Sequence, residues 1–540
     1  MAEWRAEVEA CALPVNLAAL LDGAAEAPGV AGLWTFMDDG RSSSFAEVAD
    51  ATRRLASGLA SIGVGRGSAV VVVVPNRPEF PLTWFALARL GAVMVPVNVR
   101  SKARELQYVL EDSDASHLVI DADLLPMFDG VETGLAEFAG DRLVVVGGDG
   151  SRGRVFNELL LSEPWVPSVE PGLDDPVSIQ YTSGTTGLPK GCVLTHRYWV
   201  TIGLVAARML PEAPRRILSD TPFSYLDPQV ELMMAIWSGA ELIVASTVSL
   251  SRFMDRIREF RIDYTGFWEL ALQLEESETD RDHELKWVTL YGLDKDLHAE
   301  LERRFGVIGR EVYAMTEIGV TLMAPFFAPE LVGSGSVGFP APFREVRIVD
   351  PESTEDVAPG EVGELCVRGP GMLVEYWQRP DANQTSFFGD RWFRTGDLFR
   401  CDEDGLHYIV GRVKDMIRRS DENIAAREVE MVLERLDGVF ESAVVGVPDK
   451  RTGEEVKAYV VLKPGVTPDQ VPPTAVFEHC AALLAPFKVP RYLEYIDVLP
   501  KTVSEKTAKK ELVAQKPDLR IGSFDRVSGT WIGEEIDDAG

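Results

Sequence analysis

A run of hydroxyl-bearing residues and glycines followed by a lysine is the most informative segment of the sequence. The run lies within Tyr181–Gly191 and precedes an apolar stretch. Glycines let backbone N–H groups approach phosphate oxygens, hydroxyls donate further hydrogen bonds, and the lysine adds positive charge. The Gly-Lys-Ser/Thr end of a Walker A loop does not occur. We therefore predict a phosphate-binding loop of another type, formed by Thr182, Ser183, Gly184, Thr185, Thr186, Gly187 and Lys190.

Four further segments follow this loop along the chain and carry residues suited to nucleotide chemistry. Each of them, taken alone, is typical of an ordinary turn or of a solvated, charged surface. A glutamate suits a hard cation such as Mg²⁺, and an aspartate accepts two hydrogen bonds from a vicinal diol. The segments are Val312–Glu317, Trp392–Leu398, Gly411–Asp415 and Pro500–Lys510.

Together, these motifs and their order resemble the adenylate-forming superfamily, which includes acyl-CoA synthetases, luciferases and nonribosomal peptide adenylation domains. The resemblance extends from Phe45 to Leu512 and is nearest in character to small-acid CoA ligases of the crotonobetaine/carnitine type. It implies that the chain uses ATP and Mg²⁺ to form an enzyme-bound adenylate, which then passes to CoA or another nucleophile.

The resemblance also implies roles for individual residues. Tyr313 is expected to stack on adenine, Thr316 to contact the α-phosphate, and Glu317 to help hold Mg²⁺. The ribose is expected to bind Asp397, with Arg412 beside it. The remaining catalytic and hinge positions are Lys190 in the phosphate loop, Lys414 where the C-terminal domain rotates, and Lys506, which stabilises charge building on the α-phosphate.

The same resemblance places the acid-binding pocket at Tyr225, Asp227, Gln229, Gly292, Val312 and Ala314. Val312 and Ala314 stand where relatives have glycine, and their added carbons narrow the pocket. A small acid is therefore expected. Tyr225 stands where many relatives have a gating histidine.

Two more departures affect the second half-reaction. Asp421 stands where CoA ligases usually carry a glycine that lets the pantetheine arm pass, so it is expected to obstruct this channel. Glu505 replaces the glycine before Lys506, and its charge is expected to weaken that lysine. Three hypotheses remain open: the acceptor is CoA, the acceptor is an amine (including diazotisation of an aryl amine with nitrite), or the chain only binds nucleotide.

Alternating helices and buried strands must position these residues. Val70–Val74 is a β-branched run of the kind that is buried on both faces of a parallel sheet, and helical periodicity precedes it. We predict an α/β fold with doubly wound sheets in a large N-terminal domain (1–413). Its part from about 335 to 413 is β-rich, a small mobile α+β domain follows (414–515), and an acidic tail (516–540) is expected to fray.

Composition excludes several classes of protein. With 54 Lys+Arg against 85 Asp+Glu, the net charge of −31 disfavours nucleic-acid binding. The five cysteines form no CxxC pair, which disfavours a zinc site or a disulfide framework. No secretory signal begins the sequence, and the apolar stretch near residue 70 is too short to span a membrane. A cytoplasmic monomer or homodimer is expected, with a small acid and a nucleophilic acceptor as its partners.

Overall fold

The chain divides into two compact units, a larger N-terminal one and a smaller C-terminal one. The computed structural model describes residues 1–27, 32–38, 40–129, 131, 138–167, 169–182, 189–267, 269–420, 422–501 and 507–533. The larger unit comprises Met1–Val346 and Val367–Phe393, and the smaller comprises Arg347–Cys366 and Arg394–Gly540. The predicted boundary at residue 413 remains a prediction.

The first sheet of the larger unit is parallel except at one edge. Ala69–Val73 lies near its middle and is buried along its whole length, as its β-branched composition predicts. The last two strands are antiparallel and flank the predicted phosphate loop. In spatial order the strands are Arg154–Val155, Leu143–Val146, His117–Asp121, Ala69–Val73, Val93–Pro96, Pro176–Thr182 and Lys190–Thr195.

The second sheet has a parallel centre and antiparallel edges. It carries the segment Val312–Met315 at the end of a long strand. In spatial order the strands are Phe339–Pro340, Gly319–Met323, Ile308–Met315, Trp287–Leu290, Tyr264–Gly266, Arg216–Ser219, Glu241–Val244, Trp34–Phe36 and Ser42–Ser43. The doubly wound α/β prediction is confirmed by these two sheets and the helices between their strands.

Helices of the larger unit begin and end at recognisable signals. Ser44 caps Phe45–Ser61 through a capping box with Glu47, and Gly239 ends Leu226–Ser238 with φ +67°. The helices are Ala2–Glu9, Leu17–Glu26, Phe45–Ser61, Glu79–Leu90, Ala103–Asp112, Leu125–Asp129, Phe156–Leu159, His196–Arg208, Leu226–Ser238, Leu250–Glu259, Lys295–Phe305 and Pro380–Ser386.

Two of these helices pack closely because a glycine lies at their contact. A Cβ added to Gly203, in His196–Arg208, would lie 2.4 Å from the Cβ of Met233, in Leu226–Ser238. No real side chain tolerates that distance, so the glycine permits the close approach. This helix pair forms one wall of the cavity described below.

A β-rich region follows; its predicted start near residue 335 remains a prediction. Its strands are Glu345–Val349, Val362–Arg368, Phe387–Phe388, Trp392–Cys401 and His407–Arg412. Trp392–Cys401 and His407–Arg412 pair antiparallel, with Asp397 opposite Arg412.

The C-terminal unit also contains a mixed sheet with helices, as expected for an α+β domain. Ile424 belongs to a strand, and the helix that follows covers Ala426–Leu433. The helices are Ala426–Leu433, Pro473–Leu483 and Lys509–Ala514. The strands are Glu422–Ala425, Met416–Arg419, Gly453–Leu462, Tyr492–Tyr495, Phe524–Asp525 and Thr530–Trp531 in spatial order, with Val439–Asp449 also paired to Gly453–Leu462.

The expectation of a frayed tail is wrong for residues 516–533. Phe524–Asp525 pairs with Tyr492–Leu493 and also with Thr530–Trp531. The rings of Phe524 and Trp531 meet edge to face at 5.5 Å, and Leu519 packs in an apolar cluster with Tyr492. A few apolar side chains therefore anchor a segment whose composition is mostly polar.

Candidate active site

The predicted phosphate loop connects two antiparallel strands of the first sheet. Thr182 ends one strand, Lys190 begins the next, and the two residues lie opposite each other. Residues 183–188, which include Ser183, Gly184, Thr185, Thr186 and Gly187, lie outside the described residues. The hydroxyl of Tyr108 donates to the carbonyl of Pro189 at 2.8 Å, which fixes the end of this connection from a neighbouring helix.

Lys190, Tyr376 and Glu317 form a compact cluster beside this strand pair. The Lys190 ammonium lies 4.7 Å from the centroid of the Tyr376 ring, within the range of a cation–π contact. The Tyr376 hydroxyl donates to Glu317 Oε1 at 2.8 Å. Burial and the Glu317 carboxylate raise the pKa of Tyr376, so the phenol keeps its proton. The cluster therefore links a cation, an aromatic ring and a carboxylate in one buried place.

Thr316 and Glu317 lie in the turn between strands Ile308–Met315 and Gly319–Met323. Gly319 follows with φ +65°, a conformation that favours glycine. The Glu317 carbonyl accepts from the backbone N–H of Leu373 at 2.8 Å. The turn is therefore attached to the loop that carries Tyr376.

Arg344 stabilises this turn and that loop through buried hydrogen bonds. Its guanidinium donates to the carbonyls of Ile318, Pro370 and Gly371 at 2.7–2.8 Å. Burial lowers the pKa of Arg344 to about 10, so the group stays charged at neutral pH. A fixed, planar donor of this kind holds several backbone oxygens at once.

Tyr313 lies at a bulge in the strand that precedes the turn. The register with the neighbouring strand shifts between Tyr313 and Ala314, and bulges of this type redirect side chains near functional sites. Tyr313 is buried, and its hydroxyl contacts the Met315 sulfur at 3.1 Å. Its predicted stacking on adenine remains a prediction.

A cavity of about 30 Å³ opens between the helix pair and the second sheet. Three of the predicted pocket residues, Asp227, Val312 and Ala314, line it. The complete lining is Ile202, Ala206, Met209, Leu226, Asp227, Val230, Glu231, Met234, Tyr264, Thr289, Tyr291, Val312, Ala314 and Val320.

The other three predicted pocket residues are not among those that line this cavity. Gln229 is buried and donates to the carbonyl of Phe223 at 2.7 Å, which holds the loop before its helix. It lies two residues from Asp227, and this spacing puts it on another face of the helix. The Tyr225 hydroxyl accepts from Asn98 at 2.9 Å, and Gly292 donates its N–H to Glu311 at 2.8 Å.

In the C-terminal unit, the predicted ribose pair is an ion pair. Arg412 Nε lies 2.5 Å from Asp397 Oδ1, and their strands place the two residues opposite each other. Asp397 is buried, whereas Arg412 is partly exposed. Lys414 lies two residues further on, in the 3₁₀ turn Val413–Asp415. Binding of ribose and rotation about Lys414 remain predictions.

Glu317, which is predicted to help hold Mg²⁺, fits a cation held mainly by nucleotide phosphates. No group of three or more candidate metal ligands occurs among the residues that the structure describes. Mg²⁺ bound with ATP typically takes one or two protein carboxylates and completes its shell with phosphate oxygens and water. Glu317 supplies such a carboxylate.

Three more predicted residues lie outside the described part of the chain. They are Asp421 and Glu505, predicted to affect the acceptor channel, and Lys506, predicted to assist adenylation. Their roles therefore remain those implied by the resemblance.

Sequence reasoning missed Tyr376 and the polar side chains that line the cavity beside Asp227. Tyr376 belongs to a segment without periodicity that joins the phosphate strand through an isolated bridge to Cys192. The position of Glu231 could have been inferred from the sequence, because it lies four residues after Asp227 in a largely apolar helix. Tyr264 and Tyr291 gave no distinct signal.

Searches for similar proteins agree with the predicted family. The sequence model of the AMP-binding enzyme family matches residues 23–377, and that of the AMP-binding enzyme C-terminal domain matches residues 428–506. Crotonobetaine/carnitine–CoA ligase of Escherichia coli O9:H4 (strain HS) is 31% identical over 490 residues, covering 87% of this chain and 92% of the relative.

Solved structures of CoA ligases share the fold. ATP-bound MatB from Rhodopseudomonas palustris superposes with a TM-score of 0.80 at 25% identity, covering 92% of this chain and 98% of that one. A benzoate CoA ligase from Burkholderia xenovorans LB400 gives 0.79 at 26% identity, covering 92% and 99%. In the described part of this chain, no helix is long and apolar enough to cross a membrane.

Three observations lead to the same assignment. They are the order of the motifs, the arrangement of Lys190, Tyr376 and Glu317, and these similarities to known proteins. The prediction of an enzyme rather than a protein that only binds nucleotide is confirmed. The chain belongs to the AMP-binding enzyme family and is an AMP-forming, adenylate-forming ligase.

Proposed function

We propose that this chain activates a small acid with ATP and transfers the activated group to CoA. In the first step a carboxylate oxygen attacks the α-phosphorus of ATP, pyrophosphate leaves, and an enzyme-bound adenylate forms. In the second step the CoA thiolate attacks the acyl carbon and AMP leaves. Relatives named as CoA ligases support CoA as the acceptor.

The observation that carries the small-acid proposal is the size and position of the cavity. It measures about 30 Å³ and is lined by Val312 and Ala314. These residues flank Tyr313 and come just before the Thr316–Glu317 turn. An acid held there has its carboxylate near the residues proposed to contact the α-phosphate. The methyl groups of Val312 and Ala314 narrow the space for an acyl chain, which favours a small acid.

Nucleotide binding and charge stabilisation are assigned to individual residues. Lys190 and the phosphate loop bind the phosphates, and Glu317 would hold Mg²⁺, which supplies Lewis-acid stabilisation of phosphoryl charge when bound. Lys506 offsets charge that grows on the α-phosphate during attack. Asp397 and Arg412 bind the ribose, and the C-terminal domain rotates about Lys414 between the two steps.

Pyrophosphate release tests both the acid and the acceptor. The purified chain is assayed with ATP, Mg²⁺ and a panel of small organic acids plus nitrite, each alone, with CoA, and with aryl or alkyl amines. A CoA thioester supports the proposal. Product that forms only with an amine overturns CoA as the acceptor and favours amide formation or, with nitrite, diazotisation. Absence of pyrophosphate release with every acid overturns the proposal as a whole.

Asp421→Gly tests whether the carboxylate hinders thioester formation. We expect faster CoA-thioester formation at an unchanged rate of adenylate formation, because only the acceptor channel opens. Glu403→Gln, which removes a carboxylate from the turn after strand Trp392–Cys401, is the charge-matched control. An unchanged thioester rate in Asp421→Gly would contradict obstruction at this position.

A further inference from the structure

The cavity contains a pair of acidic side chains that the small-acid proposal does not explain. Asp227 and Glu231 both line it and are one helical turn apart on Leu226–Ser238. This spacing brings Cβ atoms to roughly 5–6 Å and points both side chains to one face of the helix. The opposite wall is formed by Tyr264, Thr289 and Tyr291 of the second sheet.

Neither carboxyl group interacts with a cation among the residues that the structure describes. Glu231 Oε2 is buried and has no hydrogen-bond partner within the described residues. The charged groups that act on Glu231 are Asp227 and Asp220, which are both acidic. None of the described residues that line the cavity is a lysine, arginine or histidine.

Glu231 is partly buried, whereas Asp227 is exposed. Desolvation raises the pKa of Glu231 well above its ordinary value, and the carboxyl groups of Asp227 and Asp220 raise it further, whereas the Ser219 hydroxyl group lowers it. Desolvation also raises the pKa of Asp227. A buried carboxylate needs a cation or several donors to remain charged. An apolar acyl tail supplies neither, and a second carboxylate would be repelled.

The opposite wall of the cavity presents aromatic rings, and it offers few hydrogen-bond donors that would compete with a ligand for the two carboxylates. The Tyr264 hydroxyl and the Thr289 hydroxyl are hydrogen-bonded to each other at 2.6 Å, so they satisfy one another. Tyr291 keeps more than half of its surface accessible although it lines the cavity. A nitrogen-bearing group between the two walls would therefore meet carboxylate oxygens on one side and tyrosine rings on the other.

We propose that Asp227 and Glu231 form a recognition subsite for an amino or ammonium group carried by the acid that this enzyme activates. The inference rests on the proposed function, because it names the class of that acid. The N–H groups donate to the two carboxylates, and the acid group at the other end is left for adenylation. Asp227 and Glu231 are specificity residues and do not contact the reacting atoms.

Calorimetric binding to the nucleotide-free enzyme tests the subsite independently of catalysis. The probes are two matched pairs, benzoate with 3-aminobenzoate and butyrate with 4-aminobutyrate. We expect 3-aminobenzoate, 4-aminobutyrate or both to bind at least ten-fold more tightly than the matched acid without an amino group. Asp227→Asn and Glu231→Gln keep the side-chain shape. Each should reduce that ratio by ten-fold or more while leaving the affinity for benzoate or butyrate, which lack the amino group, unchanged or improved.

Glu259→Gln is the control, because it removes one exposed carboxylate from another helix of the same unit. It should leave both ratios unchanged. Two results would overturn the subsite. The wild-type enzyme could bind both members of each pair equally, or neither Asp227→Asn nor Glu231→Gln could change the affinity ratio within a pair. Failure of every acid to release pyrophosphate would instead overturn the proposed function, while the binding ratios would still decide the subsite.

Discussion

Removing one hydroxyl group at Tyr376 should slow adenylate formation without unfolding the enzyme. In Tyr376→Phe the ring stays beneath the Lys190 ammonium, so the cation–π contact persists. The lost interaction is the 2.8 Å hydrogen bond from the Tyr376 hydroxyl to Glu317 Oε1. A buried hydrogen bond to a carboxylate contributes about 1.5–3 kcal/mol.

If that free energy serves to hold Glu317 in its catalytic orientation, the rate of adenylation falls by about 10- to 150-fold. Without its donor, the carboxylate would turn or take up a proton, and either change would weaken the Mg²⁺ binding proposed for Glu317. Acid-dependent exchange of labelled pyrophosphate into ATP measures this rate. We also expect the Mg²⁺ concentration for half-maximal exchange to rise.

Tyr459→Phe provides a matched control in the C-terminal unit. Tyr459 is also buried and also lies under a lysine, Lys457, at 4.2 Å. Its hydroxyl has no hydrogen-bond partner within the described residues, so its removal should leave exchange unchanged. Exchange at the wild-type rate and Mg²⁺ dependence in Tyr376→Phe would refute a positioning role for this hydroxyl.

Further predictions concern the cavity, the helix contact and a buried histidine. Ala314→Leu should fill the cavity and raise the KM for the larger acids ten-fold or more in pyrophosphate exchange, whereas Ala314→Gly should lower it; equal KM values would contradict this. Gly203→Val should lower the free energy of unfolding in urea by about 1–3 kcal/mol, because its added carbons overlap Met233. Burial lowers the pKa of His196 from 6.5 to about 4. Between these pH values the unfolded chain binds more protons than the folded one, so stability should fall by up to about 3 kcal/mol as pH decreases from 6.5 to 4. Urea unfolding of His196→Gln should show a flatter pH profile; an unchanged one would contradict the assignment. Arg344→Met should leave the carbonyls of Ile318 and Gly371 without their donor and lower the unfolding free energy by several kcal/mol.

The sequence predicted the elements that carry strong local signals. Helical periodicity before residue 70 corresponds to the helix Phe45–Ser61, and the run of valines after it forms the buried strand Ala69–Val73. Side-chain periodicity and capping act over a few residues, so these elements are readable from the chain alone. The opposition of Asp397 and Arg412 was expected from motifs 15 residues apart, and the strand pairing brings them together.

The sequence did not predict contacts that depend on tertiary packing. Tyr376 reaches Glu317 from 59 residues away, and its own segment has no repeating pattern. Gln229 was expected in the pocket, but helix geometry turns it toward the loop at Phe223. Glu231 lines the cavity instead because it is one helical turn from Asp227.

The tail shows how composition alone misleads. Polar and acidic residues dominate after residue 516, which favours fraying. The rings of Phe524 and Trp531 nevertheless contact each other edge to face, and the sheet of the C-terminal unit supplies an edge with which their strands pair. An available strand edge is a property of the folded unit and leaves no mark in the local sequence.

Acid-dependent pyrophosphate exchange in the wild-type chain and in Lys506→Ala is the most direct test that this protein forms an adenylate. We expect exchange that requires ATP, Mg²⁺ and a small acid, and a fall of 100-fold or more when Lys506 becomes alanine. Exchange that is independent of the acid, or that continues at the wild-type rate in Lys506→Ala, would contradict adenylate formation by the residues assigned here.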